Sequence, residues 1–292
     1  MKKKNFIPLL FCIISAVIIA SCGNGKKPLP DTKPLVAVSI FPLYEAASNI
    51  TGDRAEVFHA LPAGSDPHTF EPQPSTALKL KKSDLCVIIS EHFDGWMKDY
   101  LSAKTEILYL TDKEGRGCED ENPHIWLYPP DMISYLSKIK DALIKISPEN
   151  REYFEERYNS YSLELKKLDE EIKKLFSRFD EPAVIQWHPA WDRFSEGYGI
   201  KIVSTIEKGH ADRPGLKRMK NSVTAARESG TRVVILDPRS GRDAAASYLK
   251  AIDGIPAGLD PIGGAEGLVT YKDLLFKNAE TLAKAFSEAE GE

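Results

Sequence analysis

The stretch "PENREYFEERYNSYSLELKKLDEEIKKLFSRF", residues 148–179, decides the fold. Its apolar side chains fall at Phe154, Tyr158, Tyr161, Leu165, Leu168, Ile172 and Leu175, in steps that alternate four and three. That period keeps them on one face of a single amphipathic helix. Ser147 and Pro148 offer an N-cap and a first-turn proline. About 30 residues at 1.5 Å each make a rod of roughly 45 Å, long enough to span two lobes. The same spacing serves a coiled-coil dimer seam. Here, however, the segments on both sides have a different pattern with faces of their own to cover, so packing across two lobes is expected.

Upstream, from Pro34, short β-branched runs alternate with helical stretches: "LVAVSI", a helix near Leu43–Ile50, "AEVFHA", a helix near Ser75–Lys82, and "LCVIIS". Downstream, "PAVIQW", "GIKIVS", "TRVVIL" and "GIPAGL" are separated by helices near Pro214–Ser229 and Gly241–Ile252, and a helix over about Tyr271–Glu288 closes the chain. Alternation of this kind predicts two α/β lobes, each a mostly parallel sheet flanked by helices. The expected division is an N-terminal lobe over 34–146, the long helix over 147–180 and a C-terminal lobe over 181–292. No internal repeat and no glycine-rich phosphate loop is found, so nucleotide chemistry is not indicated.

The N-terminus "MKKKNFIPLLFCIISAVIIASC" places three lysines before an apolar run, Phe6 to Ala20, that is too short to span a bilayer. Residues 1–21 therefore read as a secretory signal peptide. The end, Ile19-Ala20-Ser21-Cys22, resembles a bacterial lipobox, which would make Cys22 the acylated attachment to a bacterial membrane. Residues 22–33 would then be a polar, proline-rich tether holding the protein outside the cytoplasm, in the periplasm or at the cell surface. Loss of residues 1–21 removes three lysines and takes the formal charge from −4 to −7, which argues against nucleic acid as a partner. Cys86 and Cys118 then remain in an oxidising compartment, where a disulfide between them is possible.

Three of the six histidines touch proline: His68 in "GSDPHTFEP", His124 in "NPHIWLYPP" and His188 in "QWHPAWDRF". Proline fixes its own φ and pushes its predecessor out of the helical region, so each of these imidazoles sits on a stiffened, non-helical segment. His188 follows a strand directly, at the carboxyl end where α/β sheets gather ligand sites. Three neutral imidazoles and one carboxylate make a tetrahedral set for a borderline metal such as zinc. Asp260, in "GLDPIGG", supplies a carboxylate on another proline-flanked turn after a strand. Spacing alone leaves a structural role open for each histidine, because no short-range signature such as HExxH is present. His59 belongs to a strand surface, His92 to the turn "SEHFDGW" and His210 to an exposed loop. Trp126, Trp187 and Trp191 are expected to pack beside the histidines and shield them.

Several stretches occur together in one order: "VSIFPLYEAASNITGD", "LPAGSDPHTFEPQPSTALKLKKSDL", "PHIWLYP", "HPAWDRFSEGYGI", and "LDPIG" followed by "TYKDLLFKNAETL". In these the chain resembles the metal-binding proteins of bacterial zinc and manganese ABC transporters, over essentially its whole length after the leader. The resemblance implies a metal site in a cleft between two α/β lobes joined by a long helix. It implies His68, His124, His188 and Asp260 as the ligands, an ABC permease as partner, a monomer, and no enzymatic activity. A glutamate often replaces the third histidine in manganese members, so His188 points to Zn2+, with Mn2+ as the alternative. Other classes that stay open are an iron-specific member, a surface adhesin and a zinc hydrolase. Asp260 would close the coordination position a hydrolase needs for water.

The chain departs from the family pattern in three places. The region before His124, "TDKEGRGCEDENP", lacks the long His-rich loop of many zinc members. Tyr128 stands where aspartate is usual, and Asp237 in "LDPRS" where glutamate is common. Asp237 reads as a strand-end turn former, and it is the alternate carboxylate.

Overall fold

A computed structural model describes residues 33–62, 65, 70–111, 122–209, 215–237, 242–263 and 270–291. The expected leader, the acylated Cys22 and the tether to residue 32 lie outside these, as do His68, Cys118 and His210.

The first lobe is built on β1 (Leu35–Val38), β2 (Glu56–His59), β3 (Leu85–Ile88) and β4 (Glu106–Tyr109), joined through α1 (Phe41–Thr51) and α2 (Pro74–Lys82). All neighbours in the sheet pair in parallel, in the order β2-β1-β3-β4. The second lobe repeats the plan with β5 (Ala183–Gln186), β6 (Lys201–Thr205), β7 (Val233–Leu236) and β8 (Ile255–Gly258), in the order β6-β5-β7-β8, again parallel throughout. In each sheet the chain leaves the middle in opposite directions, so a crevice opens at the carboxyl ends between β1 and β3 and between β5 and β7. Central strands such as Leu85–Ile88 are buried at every residue, as a parallel sheet covered on both faces requires. Pro256 is tolerated because β8 is an edge strand.

The remaining helices are α3 (Pro129–Ile146), α4 (Arg151–Phe176), α5 (Asp192–Gly197), α6 (Leu216–Ser229), α7 (Arg242–Ile252) and α8 (Tyr271–Glu290). The rod read from periodicity is α4, whose 26 residues span about 39 Å. Phe154, Tyr161, Leu165, Leu168 and Ile172 are buried on its inner face, against α1 and α3 of the first lobe and α8 of the second. Each fully buried leucine or isoleucine on that stripe contributes roughly 2 kcal/mol. Asp169, on the same face, accepts from Tyr198 Oη at 3.1 Å and pairs with Lys173 at 2.7 Å.

The start of the rod differs from expectation. Pro148–Asn150 forms a separate 3-10 turn, and α4 begins at Arg151. The Ser147 hydroxyl does not cap the backbone: it donates to Glu149 Oε1 at 2.6 Å and accepts from Asn150 Nδ2 at 2.8 Å. Cys118, the possible partner of Cys86, lies outside the described residues, and Cys86 is a free, fully buried thiol within β3. Burial pushes its pKa up, so it behaves as a small apolar residue of the sheet. Among the described residues no helix is long and apolar enough to cross a membrane.

Candidate metal centre

His124 is the N-cap of a 3-10 turn over Ile125–Leu127, 4% exposed, on the approach to α3. Its backbone N–H donates to Asn122 Oδ1 at 3.0 Å, and its ring Nδ1 lies 2.5 Å from the same oxygen. An amide oxygen only accepts, so Nδ1 carries the proton and Nε2 is left as the donor atom for an ion. Phe93 and Trp126 flank the ring, with centroids 6.3 and 5.2 Å away.

His188 comes from the other lobe. It follows β5 at the crevice between β5 and β7, with Pro189 behind it and 9% of its surface exposed. The two imidazoles meet edge to face, with ring centroids 5.2 Å apart and planes at 82°. Glu207 Oε2 lies 3.6 Å from His188 Nδ1, an ion-pair distance rather than a hydrogen bond. Glu207 is itself fixed by Trp187, whose Nε1 donates to Oε1 at 2.7 Å and whose carbonyl accepts the Glu207 N–H at 2.8 Å. Sequence reading passed over Glu207. It is an acidic residue just past β6, and β6 is the parallel neighbour of β5, the strand that precedes His188.

Asp260 follows β8 and closes a turn on itself, its Oδ1 accepting the N–H groups of Ile262 and Gly263, both at 3.0 Å. That turn is stitched to the His124 segment. Trp126 Nε1 donates to the Pro261 carbonyl, and the Tyr271 hydroxyl at the start of α8 donates to the Trp126 carbonyl. His124 and His188 are thus brought together, and Asp260 is tied to them through fully buried Trp126. His68 lies outside the described residues; the chain is described again at Phe70, which packs edge to face on Trp96 at 5.3 Å. Among the described residues no three His, Cys, Asp or Glu side chains group closely enough to hold an ion.

Residues 36–285 match the family described as zinc-uptake complex component A, periplasmic, ZnuA. The chain belongs to the ZnuA family. A manganese ABC transporter substrate-binding lipoprotein, PsaA of Streptococcus anginosus, is 28% identical over 235 residues, covering 72% of this chain and 75% of the relative. A zinc-binding protein, AdcA of Streptococcus pyogenes serotype M1, is 25% identical over 320 residues, covering 97% of this chain and 61% of the relative. Among solved folds, a crystal structure of ZnuA superposes with a TM-score of 0.76 at 23% identity, over 87% of this chain and 99% of the other. A periplasmic metal-binding protein of Candidatus Liberibacter asiaticus does so with 0.78 at 20%, over 87% and 99%. Family and fold together bear out the expected two-lobed architecture.

The other histidines stand as read where they are described. His59 is on edge strand β2, its Nδ1 bonded to the Leu61 carbonyl at 2.8 Å and its ring edge-on to Tyr44, and His92 is in an exposed turn. Asp237 follows β7. Tyr128 packs edge to face on Tyr198 at 5.6 Å, beneath the Arg193 guanidinium.

Proposed function

We propose that this chain is the extracytoplasmic receptor of a metal ABC importer, capturing a divalent ion and delivering it to the membrane permease. It is a binding protein of the ZnuA family and not an enzyme. The proposed cargo is Zn2+, held by His68, His124, His188 and Asp260 in the cleft between the lobes. The observation that carries this reading is the meeting of His124 and His188, from opposite lobes, with ring centroids 5.2 Å apart. Three imidazoles and a carboxylate suit zinc, whose preference runs to nitrogen donors. Mn2+ is the alternative, favoured by the relatives named as manganese-binding lipoproteins. The proposed organisation is a signal peptide over 1–21, an acylated Cys22 with a tether to residue 33, lobes over 34–146 and 181–292, and the joining helix over 147–180. The mature protein is proposed to act as a monomer.

Competitive titration of zinc against manganese on the metal-free protein tests the reading. Zinc should bind more tightly, and alanine at His68, His124, His188 or Asp260 should each lower its affinity by more than roughly tenfold. Wild-type affinity in H188A or H124A would overturn the assignment.

A further inference from the structure

The ring of His124 is held by a hydrogen-bond chain that crosses from one lobe to the other. Asn122 Oδ1 takes the His124 Nδ1 proton. The other end of that amide, Asn122 Nδ2, donates to Asp192 Oδ2 at 2.6 Å. Asp192 is the first residue of α5, in the second lobe. Its Oδ1 accepts from Gln186 Nε2 at 3.0 Å, and Gln186 is fully buried at the end of β5, two residues before His188. Gln186 is fixed in turn: Nε2 also donates to Thr205 Oγ1 at 3.0 Å, and Oε1 accepts the Trp191 N–H at 3.1 Å. The chain therefore runs from the ring of one candidate ligand to the strand that presents the other.

We propose that Asp192 is a positioning residue for His124, acting through Asn122 across the cleft. An asparagine amide has two ends of similar shape and opposite chemistry, and either could face the imidazole. An ionised carboxylate only accepts, so Asp192 draws the NH2 end toward itself and turns the oxygen toward His124. The oxygen then demands a proton on Nδ1, which leaves the Nε2 lone pair for the ion. Without Asp192 the amide orientation rests on the His124 backbone N–H alone, and the amide reverses more readily to offer its NH2 to Nδ1. That reversal stabilises the tautomer with its proton on Nε2, which cannot bind a metal until it shifts. Outer hydrogen bonds of this kind change metal affinity by about 10- to 100-fold. The inference rests on His124 being a ligand.

The test is a thermodynamic cycle on metal-free full-length protein, with zinc affinity read by competition against a chromophoric chelator. D192A and N122A should each weaken zinc by about tenfold, and the double variant no more than N122A alone. D192N, which keeps an oxygen for the Asn122 NH2 group, should recover most of the loss. In an H124A background, D192A should have no further effect on zinc affinity. Wild-type affinity in D192A, multiplying losses in the double variant, D192N as weak as D192A, or an undiminished D192A effect in the H124A background would each overturn the proposal. H124A binding zinc as tightly as wild type would instead refute the ligand assignment beneath it.

Discussion

Asn278 and Asp260 hold each other at both ends of one residue: the Asp260 N–H donates to Asn278 Oδ1 at 2.9 Å, and Asn278 Nδ2 donates to the Asp260 carbonyl at 2.7 Å. Asn278 is buried on α8, so the candidate carboxylate stands on a turn clipped to a rigid 20-residue helix. Alanine at this position removes both bonds and leaves a partly buried N–H and C=O to find new partners, at a cost of about 1 kcal/mol. N278A should therefore fold with a lowered Tm and bind zinc about tenfold more weakly, because the carboxylate loses its fixed approach. Calorimetric titration beside thermal unfolding checks this; unchanged zinc affinity would separate the clip from the site.

Glu207 supports His188 from behind, 3.6 Å from Nδ1. A carboxylate in that place orients the ring and raises its basicity toward an ion on Nε2. E207Q keeps an oxygen for Trp187 Nε1 but loses the charge, and a fall in zinc affinity of about tenfold is expected with little change in the metal-free Tm. E207A should lose more affinity and also some stability, since the Trp187 indole N–H then lacks its acceptor. Equal affinity in E207Q and wild type would show that the contact is incidental.

Much of this fold was legible because parallel sheets and long helices announce themselves locally. The α4 stripe and the buried run Leu85–Ile88 are periodic over their own few turns or residues, and no distant contact is needed to read them. Strand β4 was missed for the opposite reason. Glu106–Tyr109 is a four-residue edge strand, only partly buried, whose existence depends on pairing with β3. Helix α5 is similarly short, six residues after the Trp191 turn, and its place is set by neighbours. At the site, proline-flanked histidines could be singled out, whereas Glu207 and Asp192 matter only through which strands lie side by side. Parallel order β6-β5-β7-β8 is a property of the whole lobe and cannot be read from any one segment.

Gly197, the last residue of α5, packs directly against the ring of Tyr128. A Cβ built there would stand 2.3 Å from Tyr128 Cε2 and 2.6 Å from its Cζ. The ring cannot step aside cheaply, since Tyr198 and the Arg193 guanidinium flank it, and Arg193 is itself held by both Asp131 oxygens at 2.8 and 2.9 Å. G197A should destabilise the protein by about 1–3 kcal/mol, as overpacking does. Combined with Y128S, which empties the space, G197A should add less than its loss in the wild-type background, so the double variant falls short of the sum of the two single losses. Chemical denaturation of the two single variants and the double measures this, and additive losses would contradict the clash.

Asp94 gives the metal-free protein a pH dependence of known sign. It is fully buried at the carboxyl ends of β1 and β3, where it accepts the Ser39 hydroxyl at 2.6 Å and the N–H groups of Ile89 and Ser90 at 2.9 to 3.1 Å. Burial outweighs those hydrogen bonds and pushes its pKa up from 3.8 to about 7. Between those two values the folded state holds a proton that the unfolded chain has released. Stability contributed by this group is therefore present at the acid end of the window and is lost as pH rises through about 7. Asparagine at this position does not titrate, so other groups cancel when the two proteins are compared. The stability of wild type relative to D94N should decline from pH 5 to 7 by up to about 1.4 kcal/mol per pH unit, then level off above 8. Urea unfolding of both proteins across pH 5 to 8.5 measures the difference directly, and a flat or rising difference would mean that the three donated hydrogen bonds keep Asp94 ionised throughout.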